Sequence, residues 1–312
     1  MTTRTRLWLA LPALTGCLGM DAPIAKQRPA PAVVPSVPAP PVQWDPFEAP
    51  SAPPQVLLQL EVTSVPEPGG PTVADLAADL DPNRKPHPTV PVIVRAAGYG
   101  QAVTAPNGTL QLRGHSGRQS RQKSYTIKLF DAEPSWRGTH TIQLNKHPYD
   151  LTRLRNKLSF DLFAALPEMS SLRTAFVQVR IDGQDQGLYT QIEHVGSRYL
   201  REHGFGAEAP LYKAEQFEFL PLPALKPASD PTYSKAAFET ILEIKGPKNH
   251  DRLLAMLADL NDPRLAINQV FDRHFDRKGY LTWMAVNVLL RNLDTSSQNF
   301  FLVCPLGTDR WR

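Results

Sequence analysis

Asp294 and Asn299 stand five residues apart in Arg291-Asn-Leu-Asp294-Thr-Ser-Ser-Gln-Asn299-Phe-Phe-Leu-Val303, directly after the apolar run Tyr280 to Leu290 and ahead of a hydrophobic strand. This D-x-x-x-x-N spacing suits phosphoryl transfer. The carboxylate accepts the proton of an attacking hydroxyl, and the amide oxygen reaches a Mg²⁺ that bridges the nucleotide phosphates, so two oxygen groups flank one reacting phosphoryl. The same residue types also form turns, so the assignment depends on what surrounds the pair.

A second source of chemistry is a run of cations. Arg113, Arg118, Arg121, Lys123 and Lys128 follow one another with no carboxylate between them. Thr109 to Gly114 and Lys123 to Phe130 alternate apolar and polar residues around the polar turn His115 to Gln122, which reads as a β-hairpin with a basic loop. Tyr125, Ile127 and Leu129 share one face of the second strand, and Ser124, Thr126 and Lys128 share the other. A lysine at that position either lines a solvent-facing edge or is held under a bound phosphate.

Further strands are expected at Val56 to Val62 and Val90 to Ala96, and at Ala175 to Ile181 and Gly187 to Ile192. The last two are joined by the turn signal Asp182-Gly183. Between them Leu154, Leu158, Leu162, Phe163 and Leu166 recur at helical spacing within Leu151 to Leu166, with Arg155 and Asn156 off that stripe. Glu193 ends the last strand. Arg198 to His203, Lys235 to Leu242, Asp251 to Leu260 and Ile267 to Phe275 read as helices before the one that delivers Asp294. Strands, a helix, strands and then helices suit an α+β protein with two lobes, the first mainly β.

The N-terminus carries a different message. Arg4 and Arg6 precede an apolar stretch, Leu7 to Leu14, that is too short to span a bilayer, so residues 1–17 read as an export signal. Leu14-Thr-Gly-Cys17 resembles a bacterial lipobox, which implies acylation of Cys17 and a membrane-anchored lipoprotein of the bacterial cell envelope. Residues 18–54 form a Pro-rich spacer, with eleven prolines between Asp21 and Pro54. Residues 55–312 remain for the folded domain. With Cys17 acylated, Cys304 has no intrachain partner and no disulfide framework is expected. The chain carries 34 Lys and Arg against 30 Asp and Glu, a net of +4, a balance that does not point to nucleic acid.

Four blocks in order resemble the CotH kinase family of bacterial spore-coat and secreted proteins. They are Leu110 to Gly117 with Lys123 to Lys128; Leu154 to Asp161; Val179 to Tyr189 with Ile192 and Glu193; and Asn287 to Leu302, together spanning residues 90 to 302. The resemblance implies a two-lobed, atypical protein-kinase-like α+β fold, with a β-rich N-lobe carrying one main helix and a helical C-lobe incomplete at its end. It also implies MgATP-dependent phosphoryl transfer to Ser or Thr hydroxyls of surface or secreted proteins. In that scheme Asp294 is the general base and Asn299 a Mg²⁺ ligand. Lys128 or Lys123 neutralises the α- and β-phosphates, and Arg118 and Arg121 cover them. Arg155 and Asn156 face the cleft from the helix, and Glu193 lies near adenine.

The chain departs from the family at its end. A second metal-binding Asp is expected shortly after Asn299, and Asp309 falls in what reads as a hairpin turn, so it is not given that role. A chain truncated within its second lobe is therefore expected, with apolar surface around Trp283, Leu289 and Phe301. A non-enzymatic reading stays open: an envelope or coat lipoprotein that uses the same scaffold for binding or assembly.

Overall fold

The computed structural model describes residues 57–84 and 86–312. The export signal with Cys17 and the Pro-rich spacer lie outside the described residues. Seven strands form a closed barrel: β1 (Leu58–Ser64), β2 (Val90–Ala96), β3 (Gly108–Arg113), β4 (Ser124–Leu129), β5 (Thr141–Asn145), β6 (Thr174–Ile181) and β7 (Gln184–Ile192). Their order around the ring is β1-β2-β3-β4-β5-β7-β6. All neighbours are antiparallel except the closing pair, where β6 runs parallel to β1 from Leu58↔Val177 to Val62↔Ile181. Alternate residues fill the interior, as a small barrel requires: Leu60, Val92, Leu110, Ile127, Leu144 and Val179 are buried there in one apolar cluster.

Two local features hold the register. Gly108 has no side chain because a Cβ there would meet the Lys128 carbonyl oxygen at 2.7 Å. Asp182 and Gly183 both adopt positive φ, 50° and 75°, which matches the right-handed twist of the hairpin they close. The Asp182 carboxylate also accepts hydrogen bonds from the Ser64 amide (2.6 Å) and hydroxyl (2.8 Å), tying the turn to the end of β1.

Helix α1 (Val73–Ala78) and α2 (Arg155–Ala164) lie beside the barrel. The stripe expected to pack from α2 is exposed at its start, with Leu154 44% and Leu158 59% exposed, while Leu162, Phe163 and Leu166 are partly buried. Asn156, Phe160 and Phe163, one helical face, are among its partly buried residues.

The remaining chain builds a three-stranded sheet, ordered β10-β8-β9, from β8 (Leu211–Ala214), β9 (Leu242–Ile244) and β10 (Phe301–Val303). Short helices surround it: α3 (Ser197–Glu202), α4 (Lys235–Glu239), α5 (Asp251–Leu260), α6 (Ile267–His274) and α7 (Arg277–Leu289). The expected two-lobed kinase-like fold with a helical C-lobe is therefore overturned. The first part closes into a mixed barrel rather than an open lobe, and the second is organised by strands of three or four residues with few long helices. Among the described residues no helix is long and apolar enough to cross a membrane.

His250 sits in the core of this second part, 1% exposed. Its two ring nitrogens meet Tyr212 Oη at 2.8 Å and Tyr233 Oη at 3.2 Å, and its ring stacks on Phe238. One nitrogen donates and the other accepts, so the neutral imidazole is fully satisfied, and burial pushes its pKa below the ordinary 6.5. Below pH 6.5 the unfolded chain takes up the proton first, so stability is complete above that value and is lost as pH falls toward the folded pKa. A urea midpoint that drops between about pH 7.5 and 5.5, and drops less steeply in His250→Gln, is expected. A midpoint with equal slopes in the two proteins would contradict this role.

Candidate functional site

The loop after α7 is held at both ends. Asn287, buried near the end of the helix, donates from Nδ2 to the Trp283 carbonyl (2.9 Å) and accepts from Asn292 Nδ2 (2.9 Å), while the Asn292 amide donates to the Asn287 carbonyl (2.8 Å). Downstream, the Asn299 amide donates to the Ala214 carbonyl (3.1 Å), the Phe217 amide to the Ser297 carbonyl (2.7 Å), and β10 pairs with β8. Arg291 and Asn299 both take left-handed φ, 52° and 59°, which Asn tolerates better than most residues. Asp294 lies in a 3-10 turn, Leu293–Thr295, between these anchors.

Asp294 and Asn299 touch. Asn299 Nδ2 donates to Asp294 Oδ2 at 2.8 Å, and Gln298 Nε2 donates to Asp294 Oδ1 at 2.7 Å. Two side-chain amides thus orient one exposed carboxylate, leaving Asn299 Oδ1 for another partner. Such a carboxylate can take a proton from an incoming hydroxyl. Among the described residues no group of three or more His, Cys, Asp or Glu could hold a metal ion.

A polar face covers the outside of β3, β4, β5 and β7. The register lines up Arg113 with Ser124 and Asn145 with Thr190 in one row, and Gln111 with Thr126 and Gln143 with Ile192 in the next. Ser124, Thr126 and Thr190 are buried although they point away from the barrel core. Gln143 Nε2 and His194 Nδ1 are 2.9 Å apart. Burial, and then the charges of Lys245, Arg113 and Lys128, hold the His194 pKa below its ordinary range against the opposing pull of Glu243. Four buried polar atoms on or beside this face have no partner: Thr174 Oγ1, Thr190 Oγ1, Asn156 Oδ1 and His147 Nε2. Buried polar groups are ordinarily hydrogen-bonded, so such orphans fit a polar ligand.

The other expected site residues are distributed differently. Lys128 is exposed on this polar face, and the Asn156 amide oxygen is buried without a partner. Arg118 is 3% exposed and structural: it donates to Asp79 Oδ2 (2.8 Å) and to the carbonyls of Leu112 and Gly114. Lys123 Nζ donates to the Arg118 carbonyl at 2.5 Å. Arg121 is exposed beside an open depression lined also by Gln122, Pro148, Leu151 and Arg153. The Arg155 side chain is 85% exposed, with Nε 3.9 Å from Asp150 Oδ1. Glu193 accepts from the Arg173 amide (2.9 Å), from Arg173 Nε (3.0 Å) and from His203 Nε2 (3.2 Å), which occupies both its oxygens. Asp309 pairs with Arg252 at 3.0 Å. The structure thus unites Asp294 with Asn299, and places Lys128 on a polar face whose inner members include Arg113 of the cation run and Asn145, Thr190 and His194, of which the last three carry no signal beyond strand alternation.

Comparison with known proteins agrees with this set of segments. The sequence pattern of the family described as CotH kinase protein matches residues 110–312. Inner spore coat protein H of Bacillus subtilis (strain 168) is 28% identical over 192 residues, covering 61% of this chain and 52% of that protein. The chain spans about half the length of that curated relative.

Proposed function

The chain belongs to the CotH kinase protein family, and we propose that it transfers phosphoryl groups from MgATP to Ser or Thr hydroxyls of envelope or surface proteins. The observation that carries this reading is the direct contact of Asp294 with Asn299 on a loop fixed at both ends. MgATP, when bound, supplies the phosphoryl group and neutralises its charge. Asp294 receives the hydroxyl proton, and the Gln298 and Asn299 amides hold the carboxylate in one orientation for it. Asn299 Oδ1 is the group that would meet the ion. The polar outer face of the barrel, with Lys128 and Asn156, is where the nucleotide would lie.

Thermal unfolding of the full chain tests the binding step. MgATP at a hundred times its dissociation constant adds about 2.7 kcal/mol to a protein that binds it only when folded, so a clear, Mg²⁺-dependent rise in midpoint is expected. A folded protein that does not respond contradicts the nucleotide reading.

The proposal includes export and a lipid anchor at Cys17, on the strength of the Leu14-Thr-Gly-Cys17 motif. In bacteria grown with labelled palmitate, the wild-type chain is expected to carry label and sediment with membranes, and Cys17→Ala to lose both. Label retained by Cys17→Ala would remove the anchor from the account. A second reading, a non-catalytic assembly module of an envelope or coat, is favoured by the exposed apolar side chains of α2 and α7 and the turn beyond, where Leu158, Val288, Leu289 and Leu293 are 59% to 80% exposed. The name of the spore coat relative is compatible with it.

A further inference from the structure

Helix α7 is fixed by one face and leaves the other bare. On the inner face Val286 and Asn287 are buried, the Tyr280 ring packs edge-on against Phe271 and Phe275, Trp283 packs against Phe300, and Thr282 Oγ1 donates to Glu168 Oε1 at 2.9 Å. On the outer face Leu281, Met284, Ala285, Val288 and Leu289 are all exposed, Val288 and Leu289 by 74% and 76%. They recur at i, i+3, i+4, i+7 and i+8, the spacing of one continuous helical face, and no polar or charged side chain interrupts it. Arg277 and Lys278 bound the stripe at the start of the helix, and Leu290 and Leu293 add exposed apolar side chains beyond its end. A helix that is apolar on both sides is ordinarily buried on both.

The size of the face suits a second copy of the chain. At their exposures Leu281, Met284, Val288, Leu289, Leu290 and Leu293 present on the order of 600 Å² per copy, the upper end of what a monomer usually leaves bare. With the flanking Arg277, Lys278 and Ala285 the face approaches the ~800 Å² per partner that a specific complex buries. A stripe without charges or hydrogen-bonding groups is matched by another of the same kind, and a two-fold pair supplies one, because both copies then use the same patch. An axis crossing the helix at Ala285 stacks the stripe on itself in antiparallel order, with Leu281 of one copy beside Val288 and Leu289 of the other and the helix dipoles opposed. Ala285, the small residue at the middle, lets the two helices approach closely. A lipid surface suits the stripe less well, since membrane-surface helices carry Lys and Arg along their length, whereas here the cations stand only at the ends.

We propose that α7 is the two-fold interface of a homodimer, two copies pairing through Leu281, Met284, Val288 and Leu289 about Ala285. The pairing stands on this face alone and holds whether or not the Asp294 loop transfers phosphate.

Sedimentation equilibrium over a dilution series tests it, on the full chain carrying Cys17→Ala so that no acyl chain contributes to association. The chain is expected to be a dimer that separates on dilution. Val288→Asp, which sets like charges against an apolar contact, is expected to raise the dissociation constant by roughly a hundredfold or more and to leave the melting midpoint of the separated copies in place, because the position is exposed. A chain that is monomeric at every concentration overturns the proposal, and so does a dimer that Val288→Asp leaves intact. A monomer that instead sediments with phosphatidylglycerol vesicles, and loses that binding in Val288→Asp, assigns the stripe to lipid and also overturns it. Ala285→Cys decides the matter if Val288→Asp does not fold. Under mild oxidation it is expected to form an interchain disulfide, Cys304 being buried, whereas Lys235→Cys on exposed α4 is expected to form none. Equal cross-linking at the two positions overturns the proposal.

Discussion

Asp294→Asn is expected to slow phosphoryl transfer by about 10²- to 10⁴-fold, the range for loss of a positioned general base, while leaving the midpoint of unfolding and its response to MgATP in place. The asymmetry follows from where the residue sits. Asp294 is exposed, and surface substitutions of similar shape usually change stability by no more than about 0.5 kcal/mol. The anchors of its loop are elsewhere, in the Asn287 and Asn292 bonds and the pairing of β10 with β8. Side-by-side rate and melting measurements check both halves. An Asp294→Asn protein that transfers phosphate at the wild-type rate would remove Asp294 from the chemistry.

Trp311→Ala carries the largest expected effect on stability, a loss of about 3 to 5 kcal/mol. The indole is fully buried, 6.0 Å from the Tyr212 ring between centroids, in the cluster that also holds Phe300 and Leu302. Its amide donates to the His274 carbonyl (2.7 Å), and its carbonyl accepts from the Asp276 amide (2.9 Å) at the start of α7. Truncation would open a cavity beneath both the helix that leads into the Asp294 loop and the strand that follows it. Trp311→Phe should cost clearly less, because Nε1 is buried without a partner and its removal leaves nothing new unsatisfied. Urea unfolding of the two variants decides the matter, and a loss below about 1 kcal/mol in Trp311→Ala would contradict a core role.

Contacts between near neighbours in sequence were the legible ones. Spacing alone put Asp294 beside Asn299, and Asp182-Gly183 closes the expected hairpin with both residues at positive φ. Alternation in β3 and β4 separated the core face of Tyr125 and Ile127 from the polar face of Thr126 and Lys128. What failed depended on distant partners. Nothing local in Leu58–Val62 tells that it closes a ring against Val177–Ile181 in parallel. Arg118 reads as a loop cation until Asp79, 39 residues earlier, is seen to hold it. The strands β8, β9 and β10 have three or four residues, too few to show a period, and Leu242, read as a helix end, opens β9. Leu154 and Leu158 of the stripe on α2 are exposed because the position of the helix beside the barrel, rather than its own periodicity, selects the buried face.

The most direct test of the account is mass spectrometry of a Ser- and Thr-rich protein acceptor after incubation with the full chain and MgATP, with Asp294→Asn and omission of Mg²⁺ as parallel samples. Phosphoester on Ser or Thr in the wild-type sample, absent from both others, is the predicted result. MgATP that binds and stabilises the chain while no phosphoester forms on any acceptor would contradict it, and would leave the barrel and its Asp294 loop as an assembly scaffold that holds nucleotide without transferring it.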